Sequence, residues 1–215
     1  MKKIIILAVV SSLLLGLAAC NKTSAGVVAI VNGVEITQEA FDAELEYDLE
    51  YYNKEGITLT DQELAELKKG VVDRLINTHL LKEAAIKAGI DADSVDVETE
   101  LAAVIENFDD EATFNKALED ADFTLESYKQ VLAEMMMIEA LFEQELAITE
   151  IQVEEEQIQA MVQYYMENYD EEDEVDQEEL REFVIYSLKQ QKAESLRKDF
   201  IEKLRGDSEI KYLDF

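Results

Sequence analysis

The sequence predicts a mainly α-helical protein with a small antiparallel β-sheet made by the two ends of the folded chain. Three observations support this fold class: an Asn-Gly turn between two apolar runs near the beginning, long segments with apolar residues at a helical period, and a short apolar segment at the end. Proline is absent from the 215 residues, so it interrupts none of the predicted helices. We therefore expect an N-terminal hairpin, a multi-helix body and a C-terminal strand that closes the sheet.

The first nineteen residues, 1–19, have the composition of an export signal. Lys2 and Lys3 precede an apolar stretch that two serines interrupt and that is too short for a comfortable membrane span. The stretch ends in the letters LAAC at Cys20, which resemble the lipobox of bacterial lipoproteins. This resemblance implies cleavage before Cys20, a diacylglycerol thioether on its sulfur, and an exported protein anchored on the periplasmic side of a membrane or on the outer face of the cell membrane. An ordinary signal peptide followed by an accidental cysteine is the alternative.

The charge of the chain restricts its partners. Without residues 1–19 it carries 17 Lys and Arg against 50 Asp and Glu, so the formal charge is 17 − 50 = −33. Such a charge disfavours nucleic acid and anionic lipid surfaces, and it favours solubility and basic partners. Because Cys20 is the only cysteine, no intramolecular disulfide can stabilise the fold.

The folded part is expected to begin after a short polar linker, 20–26, and to cover 27–215 as one domain or as a helical body with two lobes. Asn32-Gly33 favours a type I′ hairpin that places Val31 opposite Val34. One face of this hairpin is predicted to be wholly apolar, and the other to mix Val28 and Ile30 with polar residues. The residues of the apolar face are Val27, Ala29, Val31, Val34 and Ile36.

Start and stop signals delimit the predicted helices. Thr37 is a cap for a helix over 38–54, and Thr60 with Glu63 forms a capping box before a long helix that Gly89 ends. The last helix covers about 177–205 and precedes the strand-like segment 208–215. Between these, apolar residues at helical spacing predict further helices over 97–108, 114–118, 125–146 and 158–165.

The order of these elements resembles the SurA/PrsA-type extracytoplasmic chaperones. The resemblance rests on the hairpin motif, on the AGI ending of the long helix at 88–90, on the FTLESY segment at 123–128 and on the pair Tyr164-Tyr165. It covers nearly all of 27–215. It implies a SurA N-terminal-like helical domain that binds unfolded or partly folded exported polypeptides as a holdase or foldase.

Many members of that family also carry a parvulin-type prolyl isomerase module before the terminal helix. Here only a few residues separate Leu146 from Glu154, whereas a typical domain has roughly 100. The single histidine, His79, has no second histidine and no nucleophile motif to work with, and we expect it to be half-buried on a helix. The sequence therefore predicts a chaperone that is not an enzyme.

Contact with unfolded clients is predicted for flexible thioethers and amphipathic rings, because both adapt to varied apolar segments. Ordinary core packing is the alternative, especially for the methionine run at 135–137. The candidate client-binding residues are Met135, Met136, Phe142, Tyr164 and Tyr165.

No cofactor or metal is expected from the sequence. The acidic segment 170–176 lacks the ligand spacing and central glycine of an EF-hand, so it is either a solvated charge run or a weak Ca²⁺ site. Two other functions stay open beside the chaperone: an envelope lipoprotein that binds one specific partner, and, less favoured, a prolyl isomerase.

Overall fold

The computed structural model describes residues 26–168 and 176–213. Within these residues, seven α-helices and a three-stranded antiparallel sheet confirm the predicted fold class. The export signal 1–19, most of the linker with Cys20, and all but the last residue of the acidic segment 170–176 lie outside the described residues. The elements are β1 (Val27–Val31), β2 (Val34–Thr37), α1 (Gln38–Lys54), α2 (Asp61–Lys87), α3 (Val97–Ile105), α4 (Glu111–Asp120), α5 (Leu125–Leu146), α6 (Glu155–Asn168), α7 (Gln177–Gly206) and β3 (Ile210–Tyr212).

The sheet joins both ends of the described chain, with β1 between β2 and β3. Asn32 (φ 51°) and Gly33 (φ 85°) both take the left-handed conformation that a type I′ turn requires. The predicted pairing of Val31 with Val34 is confirmed, and Val31 also pairs with Ile210 of β3. The prediction that the end of the chain supplies the third strand is therefore correct.

One face of the hairpin differs from the prediction. The register shifts between Val27 and Ala29, so β1 has one extra residue at Val28. A bulge of this kind reverses the alternation of side chains beyond it. Val28 and Ala29 are consequently both buried, whereas Val27 is only half-buried and Val34, beside the turn, is exposed.

The helix boundaries follow the capping signals. The Oγ1 atom of Thr37 accepts a hydrogen bond from the backbone N–H of Ala40, and α1 begins at Gln38. Thr60 and Glu63 form the reciprocal capping box at the start of α2, with distances of 2.8 and 3.3 Å. Gly89 has φ +81° just past the end of α2, a conformation that favours glycine.

The described residues form two compact units. The first unit runs up to Leu141 and includes the chain from Lys203 onward. Its core has two clusters, one where α1 and α2 cover the sheet and one where α3, α4 and α5 meet. The largest fully buried side chains of these clusters are Val28, Val31, Ile36, Val71, Val72, Leu75, Ile76, Phe114 and Tyr128.

The second unit is Phe142–Glu202. Its core forms between α6 and α7 around Ile158, Leu180 and Val184. The connection from α5 to α6 is short and contains one 3₁₀ turn, Ile148–Glu150, so no inserted module separates these helices, as the sequence predicts. Among the described helices, none has the length and apolar character needed to cross a membrane.

Candidate functional site

Two groups of exposed aromatic side chains mark the described surface, one on each unit. The first, the α1 aromatic surface, consists of Tyr47, Tyr51 and Tyr52. Tyr47 and Tyr51 lie one helical turn apart, and the Tyr51 side chain is 60% exposed. The rings of Tyr51 and Tyr52 meet edge to face with centroids 5.7 Å apart. Together with Asp48, Leu67 and Arg74, these tyrosines line a shallow pocket of about 320 Å³.

An ion-pair network lies beside this pocket. Arg74 donates to the Glu44 carboxylate at 3.1 Å and to the Asp48 carboxylate at 2.8 Å. Glu44 is buried, and burial raises its pKa to about 7 although Arg74 favours the charged form. Its second oxygen, Oε1, has no hydrogen-bond partner among the described residues. The network fixes Arg74 against α1 and so shapes one wall of the pocket.

The second group, the α6–α7 aromatic surface, consists of Tyr164, Tyr165, Phe183 and Tyr186. The Tyr165 ring lies 5.9 Å from the Tyr164 ring and 5.9 Å from the Phe183 ring, edge to face in both cases. Tyr165 also packs against the core of the second unit, which holds the group in place. Exposure is 59% for Tyr164, 52% for Phe183 and 63% for Tyr186. The group is thus anchored at Tyr165 and open to solvent elsewhere.

A comparison with protein families shows which family the chain belongs to. The family described as SurA-like N-terminal domain matches residues 1–148, which is more than half of the 215 residues. The chain belongs to this family. No curated protein matches it. The SurA-like N-terminal domain is a chaperone-type domain, and members of the family act outside the cytoplasm. The resemblance seen in the sequence is therefore confirmed over residues 1–148, and its extension to residue 215 stays a prediction.

The SurA-like match includes the α1 aromatic surface and ends before α6. The α6–α7 aromatic surface therefore lies outside the matched residues. Arg181, the basic residue closest in sequence to Phe183, pairs with Glu155 at 2.6 Å. Three exposed carboxylates lie within one helical turn of the exposed rings. They are Glu167, Glu179 and Glu182.

The five side chains predicted to contact clients occupy different environments in this SurA-like protein. Tyr164 and Tyr165 lie together in the α6–α7 aromatic surface. Met135 and Met136 are half-buried and pack against the cluster between α3, α4 and α5. Phe142 is only 5% exposed, and its ring contacts Phe200 and the Arg197 guanidinium. Their contact with clients stays a prediction, and for Phe142 the surroundings are those of a core residue.

Phe183, Tyr186, Tyr47 and Tyr51 were missed as candidates from the sequence. A signal for the first two exists, since both lie off the apolar stripe of α7 that Leu180 and Val184 begin. Neighbouring aromatic side chains on the solvent side of an amphipathic helix form an exposed apolar patch, and such patches indicate a contact surface.

His79 lies half-buried on α2, as expected. Burial lowers the pKa of His79, and its Nε2 atom has no hydrogen-bond partner among the described residues. Nearby on the same helix, Lys82 forms an ion pair with Glu134 at 2.5 Å. Within 26–168 and 176–213, no group of three or more His, Cys, Asp or Glu side chains is arranged to hold a metal ion.

Proposed function

We propose that this protein is a membrane-anchored chaperone that binds unfolded exported polypeptides without catalysing a covalent or isomerisation step. The observation that carries the proposal is membership of the SurA-like N-terminal domain family. The exposed rings of Tyr51 and Tyr164 add to it, because each belongs to a group of neighbouring aromatic side chains, and contiguous exposed apolar patches mark interaction sites.

The aromatic surfaces suit clients of varied sequence. A tyrosine ring offers a large apolar face and a hydroxyl that can stay hydrated, so it contacts apolar segments without needing one fixed complement. The side chains lie on helices, which keeps their positions defined. The formal charge of −31 for the whole sequence keeps complexes with apolar clients soluble.

Anchoring through Cys20 would place client binding close to the membrane surface. The six residues between Cys20 and Val27 reach at most roughly 20 Å when fully extended. Two or three acyl chains bind a bilayer stably, whereas a single chain does not. The protein would thus receive polypeptides soon after they cross the membrane.

The chaperone activity is tested by the aggregation of a reduced, unrelated client, followed by light scattering. A soluble form that begins at Asn21 retains every described residue and is expected to slow aggregation at modest molar excess. The double change Tyr51→Ser and Tyr164→Ser should weaken this effect severalfold. The exposed apolar residue Ile86, changed to Ser, is the matched control because it lies in neither aromatic surface.

Failure of the unchanged soluble form to slow aggregation would contradict the chaperone proposal. Recovery of one stoichiometric partner in a pull-down, without any effect on aggregation, would instead favour an envelope interaction lipoprotein. Catalysed cis/trans exchange of a proline tetrapeptide would contradict the absence of isomerase activity.

Anchoring is tested separately on the full chain. We expect mass spectrometry of the mature protein to find a diacylglycerol group on the amino-terminal Cys20, and Cys20→Ser to move the protein from the membrane fraction to the soluble fraction. An unmodified Cys20 in the membrane fraction would contradict lipid anchoring.

A further inference from the structure

The α6–α7 aromatic surface combines exposed rings with carboxylates on the same two helices. Glu179 lies one turn before Phe183, and Glu182 lies one turn before Tyr186. On α6, Glu167 lies three residues after Tyr164, and its carboxylate accepts a hydrogen bond from Gln163 at 2.8 Å. All three carboxylates are exposed to solvent.

The local charge around these rings is negative, because the three exposed carboxylates outnumber Lys189, which lies three residues after Tyr186. The guanidinium of Arg181 is already engaged by Glu155 at 2.6 Å, so it neutralises a carboxylate of its own unit. The sequence of the second unit, 142–202, contains 5 Lys and Arg against 19 Asp and Glu, a formal charge of 5 − 19 = −14. A partner that docks on the exposed rings therefore meets three exposed carboxylates beside them, on a unit whose formal charge is negative.

Exposed aromatic faces and carboxylates attract the same kind of group. The face of a tyrosine or phenylalanine ring carries negative potential and binds ammonium and guanidinium groups. Carboxylates bind the same cations through charge-assisted hydrogen bonds. Where rings and carboxylates share one surface, a cationic side chain can contact a ring face while its charge is balanced by a carboxylate.

Charge also argues against other occupants of this surface. A second copy of the chain would bring a like charge of −14 to the same place, and nucleic acid or an anionic membrane would be repelled as well. An apolar segment that contains Lys or Arg has both the apolar groups for the rings and the opposite charge.

We propose that the α6–α7 aromatic surface binds unfolded segments in which Lys or Arg residues alternate with apolar residues. The inference rests on the proposed chaperone function and names its client class. The rings of Tyr164, Phe183 and Tyr186 contact the apolar and cationic side chains, and Glu179 and Glu182 balance the charge.

The test uses three synthetic peptides of equal length that share the same apolar residues and carry Lys, Gln or Glu at the positions between them. Binding to the soluble form that begins at Asn21 is measured by fluorescence anisotropy at low and high salt. We expect the Lys peptide to bind about tenfold more tightly than the Gln peptide at low salt, and this advantage to shrink at high salt. The Glu peptide should bind most weakly.

Two pairs of double variants locate the site. Phe183→Ser with Tyr186→Ser should weaken binding of the Lys peptide about tenfold. Ile57→Ser with Ile86→Ser, which changes two exposed apolar side chains of the first unit that lie in neither aromatic surface, should leave it nearly unchanged. Glu179→Gln with Glu182→Gln should remove most of the preference for Lys over Gln. The double variant Glu106→Gln with Glu119→Gln removes the same charge from two exposed residues of the first unit. It should keep the preference for Lys over Gln. Circular dichroism of each variant checks that it is folded.

Equal binding of the three peptides would overturn this inference and leave the chaperone proposal to the aggregation assay. Equal losses in Phe183→Ser with Tyr186→Ser and in Ile57→Ser with Ile86→Ser would overturn the location. Sedimentation equilibrium distinguishes a second copy as the occupant, because Phe183→Ser with Tyr186→Ser would then dissociate a dimer, and this result would also overturn the inference.

Discussion

Two opposing influences act on the pKa of Glu44, which lies on α1. Burial favours its protonated form, while Arg74 at 3.1 Å favours the carboxylate, and the balance raises its pKa to about 7. Below pH 4.5 the side chain is protonated in both the folded and the unfolded chain. Between 4.5 and 7 the unfolded chain releases the proton and the folded chain keeps it, so the free energy of unfolding falls as the pH rises.

The change Glu44→Gln isolates this contribution. We expect the difference in the free energy of unfolding between the natural protein and this variant to fall by roughly 1–3 kcal/mol from pH 5 to pH 8. Urea denaturation at a series of pH values measures it. The exposed neighbour Glu46, changed to Gln, controls for the loss of one carboxylate. A constant difference across the range would show that Arg74 keeps Glu44 charged in the folded protein.

Phe142 separates a structural role from a client-binding role. Because the ring is buried against Phe200, Phe142→Ala should cost about 3–5 kcal/mol of stability, and Phe142→Leu less than about 1.5 kcal/mol. Chemical denaturation gives both values. A stable Phe142→Ala variant with weakened suppression of aggregation would instead support the client contact predicted from the sequence.

At the scale of single residues, the sequence identifies candidate residue types, but it does not show whether each side chain is buried or exposed. The Tyr164-Tyr165 pair could be identified as a candidate from residue type alone, and in the structure Tyr164 is exposed while Tyr165 packs against the core of the second unit. The burial of Phe142 depends on Phe200, 58 residues later in the sequence, and no local pattern contains that contact.

Two glycines of the α2 region give opposite predictions for the same substitution. Gly70 lies inside the helix, and a Cβ atom there would meet nothing within 4 Å, so Gly70→Ala should stabilise the protein by about 0.5–1 kcal/mol. Gly89, with φ +81°, holds the left-handed conformation after the helix, so Gly89→Ala should destabilise it by about 1 kcal/mol. Thermal unfolding of the two variants compares them, and shifts of the same sign would contradict this account.

The helices and the hairpin turn could be predicted because their signals are local. The capping box of Thr60 and Glu63 and the Asn32-Gly33 turn act within four residues of sequence. The bulge at Val28 was missed because nothing in the alternation of VVAIV indicates an extra residue. It arises only when β1 pairs with β2 and buries both Val28 and Ala29.

At the scale of the whole molecule, Arg205 joins segments that are far apart in sequence. From the end of α7, its guanidinium donates hydrogen bonds to Asp73 at 2.9 Å and to Asn77 at 2.5 Å, both on α2. It also donates a hydrogen bond to the hydroxyl of Tyr212 on β3. Arg205→Ala should therefore cost roughly 1–3 kcal/mol, measured by denaturation. Lys198→Ala on the same helix removes an exposed charge and should cost less than about 0.5 kcal/mol. Equal effects would contradict a role for Arg205 in closing the fold.

The division into two units was harder to predict from the sequence than the helices and strands themselves. An amphipathic stripe shows that a helix has a buried face, but it does not show which helix covers that face. Val184 on α7 packs in the second unit, while Leu204 on the same helix packs against the sheet cluster of the first. One continuous helical pattern thus contributes to two cores.

Because the two ends of the described chain meet in one sheet, they could be joined to each other and new chain ends opened elsewhere. The backbone N–H of Leu213 donates to the carbonyl of Val28 at 2.9 Å, so a short Gly/Ser bridge would connect the ends without stretching either strand. New ends opened between Glu106 and Asp110, in the exposed turn between α3 and α4, would leave all three strands and their register in place. A circular permutant of this kind would carry its amino terminus, and any lipid attached there, at a different point on the same fold.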